Sequence, residues 1–405
     1  MASSEMVLAA KQMGCYTIVT DNLTPEHSRA KLDADEYWMI STNDLDLLEK
    51  KCREQKIDAI FSGVSEFNLD RVKELTTRLG LPCYIEDEPW AYARNKQAFK
   101  NKCREIGIPV VEEYVLSDPP RKEEMAMIRY PVVVKPVDGT GNKGLSICSC
   151  ENELIEGCKK ARSVSENQNI VVERYITGEE SWNFYYMAEN EIQLGVRARA
   201  FKQPGYPSFL YSISLSAMED DREYRELLND NCIELLRSIG CTKGMAWIQF
   251  IRDHEGRYYA LEMAHRLSGG TNNREEMEWM LDTALGNEHT ASMLPIMKES
   301  PYEWANCVYF LFADHAGRIS RMEGYDQLEK TRFQITPVVR EGDYLEAFRL
   351  MASIAFDISS AKDLCDTLQF INENVRVLDE NGENMYIRYT DFSCLDERLA
   401  GLFRA

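Results

Sequence analysis

Residues 132 to 150 constrain the fold most, because a short apolar run ending in Lys135 meets a glycine loop and then a second alternating run. The loop, Asp138-Gly139-Thr140-Gly141-Asn142-Lys143-Gly144, contains GxGxxG. That pattern invites a dinucleotide-binding turn, but such a turn must open a helix whose N-terminus meets the pyrophosphate. Leu145-Ser-Ile-Cys-Ser-Cys150 instead alternates apolar and small polar residues, as a strand does. Strand, glycine loop and strand describe a hairpin lid whose backbone N–H groups close over the phosphates of a nucleotide. Lys135 fits this, since a lysine ending a buried strand is costly unless an anion neutralises it. Taken alone, an ordinary turn with Lys135 reaching solvent explains these residues equally well. No GxxxxGK[ST] occurs, which excludes a P-loop.

At 405 residues the chain exceeds what one hydrophobic core supports, so several domains are expected. The first ninety residues alternate short apolar runs (Tyr16 to Thr20, Ile57 to Phe61) with helical patterns (Asp44 to Gln55, Phe67 to Leu79), the rhythm of a parallel sheet covered by helices. The N-terminus reads as a loop running straight into a helix, so the first strand of that sheet is expected to be missing from the chain. Pro89 to Gly107 is helical and basic, and the strand-like segments 129 to 136, 169 to 176, 191 to 201, 244 to 252 and 257 to 263 give the middle block an antiparallel α+β character. Beyond residue 300 we expect a strand at Asn306 to Phe312, a helix around Tyr344 to Phe356 and a hairpin near Val375 to Tyr389.

Composition narrows the function. With 47 Lys+Arg against 67 Asp+Glu the net charge is -20, a field that repels nucleic acid and anionic membranes. Positive charge for a nucleotide must therefore be concentrated locally. The twelve cysteines include no CxxC pair, and Cys148 and Cys150 would share a strand face, so buried thiols of a reducing cytoplasm are expected. No apolar run approaches bilayer length and no signal-peptide pattern opens the chain.

Further candidates follow in order along the chain. Glu173-Arg174-Tyr175-Ile176 ends a strand that runs into a Gly-containing turn, where unpaired backbone and an apolar slot suit adenine, and Glu180 is placed for ribose hydroxyls. Gln249 and Glu262 lie on strands joined by a short turn, so their oxygens can converge on magnesium, which needs few protein ligands. Arg266 would follow as a bidentate phosphoryl contact. Ser268, Gly269 and Gly270 offer a polar, amide-rich turn for a substrate carboxylate, and Arg197 and Arg199 share a strand face that suits another. His265 is a further substrate candidate, although a packing role fits it as well.

Five separated motifs together resemble the ATP-grasp superfamily: Arg94-Asn-Lys96, Val-Lys135-Pro, the loop Asp138 to Gly144, Glu173-x-Tyr-Ile-x-Gly-x-Glu180, and Gln249 with Glu262-Met-Ala-His-Arg266. The resemblance implies an α/β and α+β multidomain fold. It comprises an N-terminal parallel α/β domain (1–88), a two-lobed ATP-grasp domain (89–300) with a lid at about 130–185, and a small C-terminal α+β domain (301–405). It further implies that Lys96 and Lys135 bind ATP phosphates, that backbone from Glu173 to Ile176 binds adenine, that Glu180 binds ribose, that Gln249 and Glu262 bind Mg2+, and that Arg266 meets the phosphoryl group, with Arg266 and Lys135 catalytic. Many members carry Glu where Gln249 stands, while carbamoyl-phosphate synthetases look to use Gln. Ala264 and His265 replace the Asn-Pro of the common Glu-x-Asn-Pro-Arg, which puts a second magnesium in doubt.

The expected activity is a cytoplasmic carboxylate–amine ligase acting on small molecules through an acyl phosphate, with no nucleic-acid or membrane partner and a homodimer allowed for. Carboxyphosphate chemistry of the carbamoyl-phosphate or purine-pathway type is the alternative, followed by a non-catalytic nucleotide-binding module. A Rossmann oxidoreductase is discounted because no helix follows the glycine loop.

Overall fold

The computed structural model describes residues 2–138, 143–189, 191–206, 210–216, 222–268, 274–289, 305–328 and 332–399. Near the N-terminus, β1 (Ile18–Thr20) and β2 (Glu36–Trp38) pair in parallel, although Glu36–Trp38 was not among the strands expected. Asp44 caps the helix Leu45–Gln55 by accepting from Leu47 N, and Ser65 caps the helix Glu66–Leu79 by accepting from Asn68 N. Ile57 to Phe61 forms no strand, contrary to expectation. Ile57 and Ile60 instead pack beside Trp38, Leu48 and Leu75, so the segment's apolar character serves the core without a ladder.

The basic helical stretch is two helices, Asp87–Arg94 and Lys96–Ile106. Asn95 breaks it, turning extended and accepting from Gln97 N and Ala98 N, which makes Lys96 the first helical residue. Beyond them β3 (Val132–Pro136), β4 (Ser146–Cys148) and β5 (Ile170–Arg174) form an antiparallel sheet in the order β4-β3-β5. Val132 and Val134 are fully buried against Leu154, Cys158 and Ala161 of the helix Glu151–Val164. Strand alternation therefore turns Val133 and Lys135 to the opposite face. Cys148 is buried but Cys150 is exposed at the start of the next helix, so the two do not share a face as expected.

The remaining strands begin with β6 (Gly178–Ala188), β7 (Glu191–Phe201), β8 (Ile213–Ser216), β9 (Gly244–Asp253) and β10 (Tyr258–Ala264). They continue with β11 (Ala305–Phe312), β12 (Gly317–Glu323), β13 (Gln334–Pro337), β14 (Tyr344–Leu345), β15 (Leu350–Ile358) and β16 (Arg376–Asp379). Eight of them make one antiparallel sheet in the order β10-β9-β6-β7-β8-β11-β15-β13, and β14-β12-β16 make a smaller one. Strands on either side of residue 300 thus pair directly, β8 with β11. One face of the large sheet packs Tyr185, Leu194, Ile248 and Phe250 against Leu235 and Leu236 of the helix Asp230–Ser238 and Phe99 of Lys96–Ile106.

The helix expected around Tyr344 to Phe356 is instead β14 and β15. Met351, Ala352, Ile354, Phe356 and Ile358 are all buried, since β15 lies between β11 and β13. A strand buried on both faces loses the alternation that distinguishes it from a helix. No described helix is long and apolar enough to cross a membrane, and no described cysteine is in a disulfide.

Candidate functional site

The floor of the site comes from the edge of the large sheet. In the β9–β10 ladder Gln249 stands opposite Glu262, and in the β6–β9 ladder Trp182 stands opposite Gln249, so all three side chains share one face. The register shifts between Ala260 and Glu262, an irregularity that lies right beside this pair. Gln249 Nε2 donates to Glu180 Oε2 at 3.0 Å, while Lys202 pairs with the other oxygen of Glu180.

The roof is the outward face of β3 and β5. Lys135 Nζ pairs with Glu173, which also pairs with Lys100, and Lys100 lies 3.2 Å from Glu113. Lys100 has no exposed side-chain surface and Glu173 is 4% exposed, so this is a buried ionic chain. Burial alone would push Glu173 up, but Lys135 and Lys100 override it and hold the carboxyl at about 2. Burial depresses Lys100, with repulsion from Lys135 adding to it. For Lys135 burial is outweighed by Glu173 and Glu262, and the ammonium is held above its ordinary value.

Between floor and roof lies a cavity of about 290 Å³. Lys96 Nζ reaches across it to within 3.3 Å of Glu262. Burial would raise the Glu262 pKa, but Lys96, Lys135 and Arg266 hold it below the usual carboxylate range. The side wall comes from the N-terminal unit: Glu66 Oε1 accepts from Arg266 Nε and Nη2 at 3.2 and 3.0 Å, and Glu66 Oε2 accepts from Arg94 Nη1 at 2.9 Å. The Arg266 guanidinium also lies over the Trp247 ring, 5.2 Å from its centroid.

Of the residues singled out in the sequence, Lys96, Lys135, Asp138, Glu173, Arg174, Tyr175, Ile176, Glu180, Gln249, Glu262 and Arg266 all line this cavity. Tyr175 to Thr177 lie between β5 and β6, but pairing persists further than expected: Glu173 and Arg174 pair with β3, and Tyr175 N–H donates to Pro131 O at 3.0 Å. Gly144 has φ +78°, and a Cβ there would lie 3.2 Å from Pro136 Cδ, so glycine closes the β3–β4 connection. Gly139, Thr140, Gly141, Asn142, Gly269 and Gly270 lie outside the described residues. Ser268 is half-buried and does not line the cavity.

Three expected substrate residues lie elsewhere. Arg197 and Arg199 share a face of β7, but their ladder partners Asn183 and Ser181 alternate with the cavity-lining Glu180 and Trp182, which puts both arginines on the far side of the sheet. There Arg197 lies over the Tyr224 and Tyr258 rings and Arg199 pairs with Glu179. His265 is fully buried, its Nε2 within 3.1 Å of Lys243 O and its ring edge-on to Tyr84, so it is a packing residue.

Sequence reasoning missed Glu66, Lys100 and the aromatic lining. Lys100 carried a readable signal: it is four residues after Lys96 and flanks the apolar Phe99 and Cys103, which places it on the inward stripe of its helix. Glu66 carried none, being 200 residues from its partner Arg266.

Residues 95–273 match the family described as the carbamoyl-phosphate synthase L chain, ATP binding domain. Biotin carboxylase 1 of Bacillus subtilis is 30% identical over 194 residues, 44% of this chain and 42% of that enzyme, so this chain spans less than half of that relative's length. In fold the chain is similar to an L-amino acid ligase from Bacillus licheniformis (TM-score 0.74, 17% identity, 93% of this chain and 95% of the other). It is also similar to a biotin carboxylase from Campylobacter jejuni (TM-score 0.76, 15% identity, 98% and 93%).

Proposed function

We propose, from the premise that residues 95–273 form an ATP-grasp domain of the carbamoyl-phosphate synthase type, that this chain joins a carboxylate to an amine at the expense of ATP. The observation that carries the reading is the convergence of Lys96, Lys135, Gln249, Glu262 and Arg266, from three separate stretches of sequence, on one cavity between two sheets. In a chain of net charge -20, three cations gathered in one cavity, Lys96, Lys135 and Arg266, favour an anion such as a triphosphate.

The floor fits magnesium. Glu262 supplies an ionised carboxylate oxygen, and Gln249, whose amide nitrogen is committed to Glu180, keeps its carbonyl oxygen for a hard cation. When bound, magnesium neutralises phosphate charge and orients the γ-phosphoryl group. Lys96 and Lys135 hold the phosphates, Tyr175 and Ile176 border the adenine and Glu180 meets the ribose. Arg266, braced by Glu66, stabilises the charge on the phosphoryl group in transfer. An oxygen of the acid attacks the γ-phosphorus, the bond to the bridging oxygen breaks, and ADP leaves with its electron pair. The amine nitrogen then attacks the acyl carbon, the bond to phosphate oxygen breaks, inorganic phosphate departs and the nitrogen loses a proton to solvent.

A second reading, activation of bicarbonate as carboxyphosphate, is favoured by the sequence match to a biotin carboxylase. ADP release distinguishes the two: the ligase reading expects turnover that depends on an organic acid and an amine, the second expects turnover with bicarbonate alone. Calorimetric titration showing no heat with ATP and magnesium would overturn both.

A further inference from the structure

Beside the Gln249–Glu262 pair the cavity changes character. Trp182, Tyr211 and Trp247 line it, and Trp182 and Tyr211 lie 5.1 Å apart between centroids. Phe310 and Phe312 support Tyr211 edge-on from behind, at 5.1 and 6.3 Å, which fixes the ring in place. The wall starts beside the proposed metal pair: Trp182 stands opposite Gln249, and Trp247 follows two residues away along β9 on the same face. Three large rings beside a charged centre are more apolar surface than a phosphate or bicarbonate uses.

Resting on the ligase reading above, we propose that the acid substrate is an organic acid with a flat aromatic body. One carboxylate oxygen faces the γ-phosphate, and the ring packs against Trp182 and Tyr211.

The test uses the full chain with ATP and magnesium, and hydroxylamine in place of the unknown amine, so that any acyl phosphate is trapped as a hydroxamate with release of phosphate. Benzoate, phenylacetate and L-phenylalanine are compared with acetate, succinate and L-alanine. The expected result is a kcat/KM for the best aromatic acid ~10-fold or more above every small acid, and a ratio that narrows in Trp182→Leu. Trp182→Leu should also raise KM for the aromatic acid while leaving calorimetric ATP affinity within about threefold. Equal or greater turnover of the small acids would overturn the aromatic assignment and leave the ligase reading standing. Turnover with bicarbonate alone, or no ATP binding, would overturn the ligase reading itself. Should Trp182→Leu fail to fold, quenching of intrinsic tryptophan fluorescence in the unaltered chain decides: saturable with benzoate and absent with acetate, or the proposal falls.

Discussion

Lys100 and Lys135 share one carboxylate, Glu173, in a setting with almost no solvent. Removing one member of a buried ionic group costs far more than the group contributes as a whole, because the remaining charges lose their compensation. Glu173→Gln should therefore lower unfolding free energy by about 3–5 kcal/mol, read from the denaturant midpoint. The pH dependence has a definite sign. Glu173 is at about 2 in the folded chain against an ordinary 4.5, so its contribution is complete above about 4.5 and fades as pH falls from there toward 2. The unaltered chain should lose stability between about pH 5 and about pH 3 more steeply than Glu173→Gln; parallel curves would refute the assignment. At the rim, Glu66 holds Arg266 and Arg94 at once. Glu66→Gln should cut ADP release by about tenfold or more while ATP affinity by calorimetry stays within about threefold, because it loosens the position of Arg266 and not a phosphate contact. Lys135, Gln249, Glu262 and Arg266 were legible because each is in a short local motif, whereas the counter-ions that set their charge state come from distant sequence.

At the scale of elements, the hairpin around the glycine loop was legible because alternation survives where one face meets a helix and the other a cleft: Val132 and Val134 point inward, Val133 and Lys135 outward. Leu350–Ile358 was not, because burial on both faces erases the period that sequence reading depends on. Ile57 to Phe61 has strand composition without a ladder partner. The connection from roof to floor depends on Gly178, the first residue of β6, which pairs with Asp253 of β9. A Cβ there would lie 2.0 Å from the Arg252 carbonyl oxygen, a backbone atom that cannot swing away. Gly178→Ala should thus displace β6 from β9 and cost about 1–3 kcal/mol or more. A melting temperature unchanged from the parent chain would show that the strands separate without penalty.

For the whole molecule, the antiparallel middle block was readable as a rhythm, but β2, the partner of β1, was not, nor was the assembly of β6–β10 with β11, β13 and β15 into one sheet, since such pairing depends on contacts far apart in sequence. The cavity inherits this: its roof, floor and wall belong to three parts of the chain that meet only in the folded state. A ligand that bridges them binds the native form and not the unfolded chain, so its binding free energy adds to stability. Magnesium–ATP at a hundred times its Kd should stabilise by about 2.7 kcal/mol, and NAD should add nothing. The gain should vanish in Lys135→Met, whose isolated baseline shift measures the cost to the buried ionic chain separately. It should also weaken as ionic strength rises, because the cationic cluster draws an anion into a molecule whose net charge of -20 otherwise repels it. Equal stabilisation of the parent and Lys135→Met by the nucleotide would place its phosphates somewhere other than between β3 and β9.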